Sequence, residues 1–232
     1  MINTVFFCEA QVLAWFCGAS MRYLFFDIET TGLDVCKCDF KCAVVIDEDA
    51  NALTFSNADK FASYLVHVDN EDATFVSFNG LSYDFQVMFH LSKDARVKRK
   101  LQDVALHRHV DIMFAFLIEH GYCASMQSFA EPLGKSKTWS GKEAAEEDAD
   151  IEDVKTYCKS DVLVLVEIFN AGLKNGLLLR LTKEKKLRRW VLPNCTFYGV
   201  DKCIKQWAIS PADQSWMSTP LSIATMHAWT NL

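Results

Sequence analysis

Residues 22–33 read RYLFFDIETTGL, and the rest of the predicted fold is built around this stretch. Tyr23 to Phe26 form an apolar run of strand length, and Asp27 and Glu29 follow with one residue between them. Side chains two apart in a strand lie on the same face, so the two carboxylates are neighbours. Buried carboxylates repel each other and need a cation or a shared proton. The stretch therefore predicts either a metal site or an exposed strand end with two solvated acids.

Acids recur in two later segments. The segment SFNGLSYDF, residues 77–85, follows a short apolar run and places Asp84 in the first turn of a predicted helix. In the segment YCKSD, residues 157–161, Tyr157 and Asp161 are four residues apart on an otherwise apolar helix face. An aspartate on that face destabilises the fold unless it is paired, hydrogen-bonded or bound to a metal. The alternatives are a core tyrosine with a satisfied hydroxyl and a buried salt bridge at Asp161.

Together the three segments resemble the three motifs of the DEDD, or DnaQ-like, 3′ to 5′ exonucleases. DIETTGL is similar to the first motif. SFNGLSYDF is similar to the second motif of stand-alone viral members and of family B polymerase proofreading domains, and YCKSD to the third motif in its tyrosine form, Y-x-x-x-D. The motifs occur in family order. The resemblance implies an α/β fold with a ribonuclease H-like mixed central sheet flanked by helices.

The resemblance also implies a metal site. Its ligands would be the carboxylates of Asp27, Glu29, Asp84 and Asp161. Carboxylate oxygens are hard ligands that suit Mg²⁺ or Mn²⁺, and two such ions can clamp a phosphodiester. Asp27 would bridge both ions, Glu29 and Asp161 would complete the first ion's site, and Asp84 would serve the second ion.

The remaining site residues are also implied by the resemblance. Tyr157 would orient the nucleophilic water. Thr30 and Leu33 would lie beside the terminal base of the substrate, and Asn79 beside its sugar or phosphate. Asp111 is a rival candidate for the acidic site, but the equivalent aspartate of the family begins a helix. We therefore expect Asp111 to be structural.

The sequence around the motifs predicts further strands and helices. Strands are predicted over residues 40–46, 52–55 and 74–78. Helices are predicted after an N-cap at Ser56, from Tyr83, and over residues 112–120, 125–133 and 148–175. Residues 177–192 predict a β-hairpin whose charged tip carries a basic cluster. An earlier basic cluster, residues 93–100, is either a solvated surface or a rim that contacts phosphates.

These elements suggest three regions. Residues 1–20 form an N-terminal extension whose status the sequence leaves open, because its apolar run is too short for a membrane span and matches a signal peptide poorly. Residues 21–176 are the predicted exonuclease domain. Residues 177–232 are the hairpin and a tryptophan-rich appendage, which we expect to pack on the same domain through Trp207, Trp216 and Trp229.

Composition limits the class of protein. A chain of 232 residues is long enough for one α/β domain. Its net charge of −6 argues against a protein that wraps duplex nucleic acid, but allows an enzyme that touches a few nucleotides at a strand end. Nine cysteines without small-domain spacing predict a reducing, cytoplasmic setting rather than secretion. Cys36, Cys38 and Cys42 lack a convincing fourth ligand for zinc, and we interpret them as thiols of a loop and strand.

The sequence therefore predicts a metal-dependent 3′ to 5′ exonuclease that releases nucleoside monophosphates from single-stranded DNA 3′ ends. The tyrosine form of the third motif favours DNA over RNA, and an RNA exonuclease is the alternative substrate class. A non-catalytic module that binds nucleic acid or a polymerase is the alternative of another class, and the complete motifs argue against it. A proofreading role would require a separate polymerase or replication protein. No membrane partner is expected.

Overall fold

The computed structural model describes residues 22–67, 72–136, 141–146, 148–193 and 199–209, together with Thr196 and Asp213. The predictions for residues 1–20 and for Trp216 and Trp229 lie outside the described residues. The strands are β1 (Arg22–Thr30), β2 (Phe40–Asp47), β3 (Ala52–Phe55), β4 (Ala73–Ser77), β5 (His109–Asp111), β6 (Leu177–Leu181) and β7 (Leu187–Val191). The helices are α1 (Ala58–Leu65), α2 (Asp84–Leu91), α3 (Ala95–His107), α4 (Ile112–His120), α5 (Met126–Ala130), α6 (Gly141–Ala145), α7 (Ile151–Asn175) and α8 (Val200–Ile209).

Five strands form a mixed sheet in the order β3-β2-β1-β4-β5. β1 pairs with β2 antiparallel and with β4 parallel, and β5 extends the parallel half. The pairing of β1 with β4 runs only as far as Phe25 opposite Val76, so the second half of β1 continues beyond the end of β4. This α/β architecture confirms the predicted mixed central sheet flanked by helices. It also leaves one side of β1 open to other groups at Asp27 and Glu29.

Both faces of β1 are covered, because its side chains alternate between two helical layers. On one face the Phe26 ring packs against Phe61 of α1 and Phe85 of α2, with ring centroids 5.9 and 5.5 Å apart. On the other face Tyr23 and Phe25 pack against Phe169 of α7, at 4.8 and 5.2 Å. Asp27 and Glu29 follow Tyr23 and Phe25 in this alternation. The acids therefore face α7.

Helix α7 lies antiparallel to β1 across this face. Its buried side chains recur every three or four residues and include Val154, Cys158, Asp161, Leu165 and Phe169. From Phe169 back to Asp161 the helix rises about 12 Å at ~1.5 Å per residue, and four strand residues from Phe25 to Glu29 rise about 13 Å at ~3.3 Å each. Since Phe169 contacts Phe25, the matching lengths bring Asp161 to the acid pair. The helix begins after an Asp150 N-cap, slightly later than the predicted start at residue 148.

The predicted hairpin is present as β6 and β7, which pair antiparallel from Leu177 opposite Val191 to Leu181 opposite Leu187. Its buried Trp190 packs edge-on against Phe116 of α4, with centroids 5.1 Å apart, and the Trp190 indole N–H donates to Glu119 at 2.6 Å. The hairpin is thereby fixed to the helical layer beside the sheet. Within the described part of the chain, none of the helices combines the length and hydropathy needed to cross a membrane.

Several local features differ from the sequence prediction, and helices α3 and α6 are among the elements that were not predicted. The N-cap of α1 is Asn57, whose side-chain oxygen accepts from the Lys60 N–H at 2.9 Å, and not Ser56. Strand β5 has three residues and was not predicted, because so short a strand has no periodicity to detect. Helix α8 was also not predicted, although Val200, Cys203, Ile204 and Trp207 form a buried stripe at helical spacing.

Candidate active site

The acid pair of β1 lies close together, as the strand alternation predicts. Carboxylate oxygens of Asp27 and Glu29 lie within 4.8 Å of each other and of the Cys158 sulfur of α7. Glu29 is buried, at 8% exposure, whereas Asp27 is partly exposed. One acid of the pair is thus shielded from water, and the other is open to a ligand. This arrangement excludes the alternative of two fully solvated acids at a strand end.

Asp84 reaches the same end of β1 from the first residue of α2. Its Oδ1 accepts a hydrogen bond from the Ile28 N–H at 3.1 Å, at a point where β1 has run past β4. The carboxylate therefore accepts the hydrogen bond that a neighbouring strand would otherwise accept. Its donor, Ile28, is the residue between Asp27 and Glu29. Burial, and to a smaller extent the negative charge of the nearby Asp111, raise the pKa of Asp84 to about 7 against the lowering effect of the backbone N–H groups.

The loop from Ser77 to Tyr83 holds Asp84 in place through close backbone contacts. Gly80 donates its N–H to the Ser77 hydroxyl at 3.0 Å, and a Cβ on Gly80 would overlap that hydroxyl oxygen. Asn79 has a φ of 74°, a left-handed conformation that asparagine tolerates better than most residues. The left-handed conformation at position 79 and the lack of space for a Cβ at position 80 explain why the motif has asparagine followed by glycine. The half-buried side chain of Asn79 lies at this loop, where the sequence predicts a substrate contact.

Tyr157 and Asp161 meet the acid pair from α7. Both side chains are 3% exposed. The pKa of Tyr157 lies well above its usual range, because the ring is buried, because Asp161 lies beside it and is hydrogen-bonded to it, and because Glu29 and Asp27 are close. The phenol is therefore neutral at physiological pH and serves as a hydrogen-bond donor. Three of the four predicted metal-binding carboxylates thus influence the hydroxyl group of Tyr157, and Asp84 adjoins them through Ile28.

Cys158 is a neighbour of the acids that the sequence prediction missed. Its thiol donates to the Asp27 carbonyl oxygen at 3.4 Å. Burial raises the pKa of the Cys158 thiol well above its ordinary value, with a hydrogen bond to Cys42 and the negative charge of Asp27 acting in the same direction. A neutral thiol is a poor metal ligand, so we interpret Cys158 as a packing contact between α7 and β1. Its position three residues before Asp161 was the available signal.

The loop after β1 is closed by hydroxyl contacts. The Thr30 and Tyr83 hydroxyl oxygens lie 2.7 and 2.5 Å from the Gly32 carbonyl oxygen, and they lie 2.5 Å from each other. Thr30 is buried, and its contact with Tyr83 joins the first motif to the second. Leu33 is 83% exposed at the tip of this loop, an unusual setting for a large apolar side chain next to an acidic site.

Asp111 occupies the structural position that was expected. Its Oδ1 accepts from the Asn79 and Phe114 N–H groups at 2.9 and 3.0 Å, and its Oδ2 accepts from the Leu81 N–H at 3.0 Å. One buried carboxylate therefore caps α4 and holds the loop that precedes Asp84. The sequence alone shows the helix start but not the two bonds to the neighbouring loop.

We expect Asp111→Ala to lower the free energy of unfolding by about 3 kcal/mol or more, because it leaves three backbone donors unsatisfied, two of them buried. Asp94→Ala is the matched control, since Asp94 caps the exposed α3 through one bond to the Arg96 N–H. That control should cost about 1 kcal/mol. Urea unfolding followed by circular dichroism measures both values. Equal losses in the two variants would show that Asp111 does not organise the loop.

The metal-free protein should also show a pH dependence that originates at Asp84. Its folded pKa of about 7 exceeds the ordinary value of 3.8, so between these values the folded state binds a proton that the unfolded state lacks. The stabilising effect of that proton is therefore lost as the pH rises through about 7. Burial lowers the pKa of His109 to about 3, which changes stability in the opposite direction below about 6.5.

Comparison with Asp84→Asn separates these two contributions, because His109 is common to both proteins. We expect the wild type to lose stability relative to Asp84→Asn as the pH is raised from about 4 to about 8 in EDTA. Mg²⁺ should reduce the difference, since the cation takes the place of the proton. Thermal unfolding at several pH values measures it. Parallel pH curves for the two proteins in EDTA would contradict the prediction.

The residues present fit a hard divalent cation. Their donors are carboxylate oxygens, of which those of Glu29, Asp84 and Asp161 belong to buried side chains. Crowded, buried carboxylates are costly unless a cation or proton offsets their repulsion. Burial is the main cause of the raised pKa of Asp84, which shows the cost of a negative charge at that position. Oxygen donors of this kind suit Mg²⁺ or Mn²⁺ better than Zn²⁺.

Comparison with known proteins found solved structures that are partly similar to this chain. Solved structures similar to it include a family B DNA polymerase from the archaeon Pyrobaculum calidifontis, at 15% identity and a TM-score of 0.47 over 67% of this chain and 25% of the polymerase. Exonuclease I is similar at 10% identity and a TM-score of 0.46, over 67% of this chain and 41% of that one. A nuclease in its apo form is similar at 18% identity and a TM-score of 0.46, over 68% of this chain and 82% of that one.

The chain thus spans a quarter of the polymerase and about two fifths of exonuclease I. No curated protein matches it in sequence. A family model does match: the model described as the RNase H superfamily aligns with residues 24–171, a range that begins in β1 and ends in α7. That range is more than half of the chain and contains every residue of the candidate site. The chain belongs to the RNase H superfamily.

Proposed function

We propose that the protein is a metal-dependent 3′ to 5′ exonuclease acting on single-stranded nucleic acid, with DNA as the preferred substrate. The observation that carries this proposal is the meeting of three separate motifs at one end of β1. Asp27 and Glu29 come from the strand, Asp84 is bonded to the strand backbone, and Tyr157 is influenced by Asp161, Glu29 and Asp27 together. Residues so far apart in sequence meet at one point only through the fold.

In the proposed site, Asp27, Glu29, Asp84 and Asp161 hold two divalent cations, Mg²⁺ or Mn²⁺. When bound, such cations neutralise a phosphodiester, activate water and stabilise the leaving 3′ oxygen. The chain's own task is to fix the four carboxylates before substrate arrives. The Ile28 N–H fixes Asp84, and the Tyr157 hydroxyl is hydrogen-bonded to Asp161. Because its pKa is raised, Tyr157 stays a neutral phenol, and its hydroxyl oxygen can accept a hydrogen bond from the attacking water, and so orient it, while its O–H is directed at Asp161.

The proposed substrate contacts lie around the same strand end. Leu33 offers an exposed apolar side chain to the terminal base. Thr30 lies beside the same base and, through its contact with the Tyr83 hydroxyl, holds the loop that carries Leu33. Asn79 presents its amide from the second motif beside Asp84. A single-stranded end suits such a site, because the unpaired base is free to leave its stack and contact an apolar side chain. A proofreading role would place this activity beside a separate polymerase.

The test is degradation of 5′-labelled single-stranded DNA and RNA of the same sequence, in Mg²⁺, in Mn²⁺ and in EDTA. We expect a ladder of successively shorter DNA products with either metal, slower loss of RNA, and intact strands in EDTA. Faster degradation of RNA would reverse the sugar preference. Binding of both strands without any hydrolysis in either metal would instead identify a non-catalytic nucleic-acid-binding module.

A further inference from the structure

The hairpin of β6 and β7 is strongly basic in an acidic chain. Residues 177–192 contain six basic side chains and one acidic side chain, Glu184, whereas the whole chain has a net charge of −6. The basic residues are Arg180, Lys183, Lys185, Lys186, Arg188 and Arg189. Such a run is most often a solvated surface. The hairpin differs from that case because its arginines stand beside a pocket lined with aromatic rings.

The pocket has a volume of about 260 Å³ and opens between the hairpin and the end of α4. Its lining includes Phe116, His120, Tyr122, Arg180, Arg188 and Arg189. The Phe116 and Tyr122 rings meet edge to face with centroids 5.2 Å apart, and Tyr122 is 38% exposed. The pocket thus combines an accessible aromatic ring with guanidinium groups, which are the groups that contact the bases and phosphates of a single strand.

Arg180 is built into this pocket. Its guanidinium carbon lies 5.1 Å from the Phe116 ring centroid and 5.4 Å from that of Tyr122, and its Nη2 donates to the Tyr122 hydroxyl at 2.8 Å. The ring contact and the hydrogen bond between Arg180 and Tyr122 hold Tyr122 against the hairpin. They also fix a positive charge in the lining of the pocket, where an anion would meet it.

Arg188 lies directly opposite Arg180 across the hairpin. Like charges at opposed positions of an antiparallel pair are destabilising. In the part of the chain that the structure describes, neither Arg188 nor Arg189 forms a salt bridge, whereas Lys185 is paired with Glu131 at 2.8 Å. The charges of these two arginines are thus available to an external anion, which would also relieve the repulsion between Arg180 and Arg188.

Helix α4 connects the pocket to the candidate active site. It begins at Asp111, which is bonded to the loop before Asp84, and it ends at His120 beside the pocket. The helix rises about 12 Å between these ends at ~1.5 Å per residue. A single strand that keeps the ~3.4 Å spacing of one duplex strand covers that length in roughly four nucleotides, and a more extended strand covers it in fewer. One single strand can therefore reach both places.

We propose that the hairpin and the aromatic pocket form a second binding site for the single-stranded nucleic acid whose 3′ end lies at the carboxylate cluster. This inference rests on the proposed function. Arg188 and Arg189 bind phosphates of the strand, and the pocket with Tyr122 receives one of its bases. The site holds the strand at a distance from the cleaved bond of about the length of α4, so it affects long substrates and leaves a dinucleotide unaffected.

The test is the affinity of the full chain for a 5′-fluorescein-labelled dT20 strand, measured by fluorescence anisotropy in EDTA at several salt concentrations. The double variant Arg188→Ala/Arg189→Ala should weaken binding about tenfold and reduce the salt slope by about 1.4, the value for two lost phosphate contacts. Lys202→Ala/Lys205→Ala is the matched control, because it also removes two positive charges, both paired with Asp201 on α8. That control should change affinity less than twofold. Tyr122→Ala should weaken dT20 binding about fivefold or more, through lost stacking.

Turnover of a dinucleotide in Mg²⁺ should be the same in the wild type and in Arg188→Ala/Arg189→Ala, since a dinucleotide is too short to reach the pocket. Equal affinity of the double variant and its control for dT20 would overturn the second site, as would failure of the wild type to bind dT20. Binding that depends on the hairpin in a protein that hydrolyses nothing would support the second site and overturn only the proposed activity, because the measurement in EDTA requires no hydrolysis.

Discussion

Asp27→Ala or Asp161→Ala should lower the turnover of single-stranded DNA at least about a thousandfold while leaving the protein folded. Each change removes a carboxylate from the cluster proposed to hold both cations. Losing electrostatic stabilisation of the transition state lowers the rate strongly. Each change also removes a negative charge from a crowded group. The melting temperature in EDTA should therefore stay level or rise.

Asp59→Ala is the control for these variants, because Asp59 is an exposed acid in the first turn of α1. It should alter neither turnover nor the melting temperature measurably. The comparison requires initial rates with saturating Mg²⁺ beside thermal unfolding of the same preparations. Near-normal hydrolysis by either purified site variant would exclude the carboxylate cluster as the active site.

Tyr157→Phe should lower kcat by roughly ten to a thousandfold, the range expected when one positioned polar contact in a transition state is lost. The change removes one hydroxyl and keeps the ring that α7 buries, so the four carboxylates should stay in place. Metal affinity and single-strand binding should hardly change. Because the raised pKa of Tyr157 keeps the phenol protonated, this effect should not vary with pH between about 6 and 9.

A purely structural tyrosine predicts the reverse pattern. Its loss would leave Asp161 with one hydrogen bond fewer in a buried setting, which lowers stability and has little effect on the rate. The two accounts separate when kcat under saturating metal is set beside the melting curve of the same variant. An unchanged kcat with a lower melting temperature would remove Tyr157 from the proposed mechanism.

The sequence predicted β1 and α7 well, because both elements have a strong periodicity of their own. Alternation in β1 places Asp27 and Glu29 together, and the apolar stripe of α7 places Tyr157 and Asp161 on the face that packs against the strand. These patterns depend on residues that are neighbours in sequence. Burial of one face then determines which side chains meet, since the aromatic residues before the acids fix the register.

Contacts between distant segments could not be predicted in the same way. The bond from Ile28 to Asp84 joins residues 56 positions apart, and it exists because β1 runs past β4. The thiol of Cys158 lies beside Asp27 only once α7 is packed on the sheet. Helix α8 was overlooked because its stripe is short and follows a segment without strong periodicity. The two contacts at Asp84 and Cys158 thus depend on tertiary packing, which the local sequence pattern does not determine.

The most direct test of the central claim uses one single-stranded DNA labelled in two ways, at its 5′ end and on its 3′-terminal nucleotide. In Mg²⁺ the wild type should release the 3′ label at once as a nucleoside monophosphate, while the 5′ label passes through a ladder of shortening strands. Asp27→Ala should release neither label. Early loss of the 5′ label, or release of the 3′ label at an equal rate by Asp27→Ala, would contradict a 3′ to 5′ exonuclease site at the end of β1.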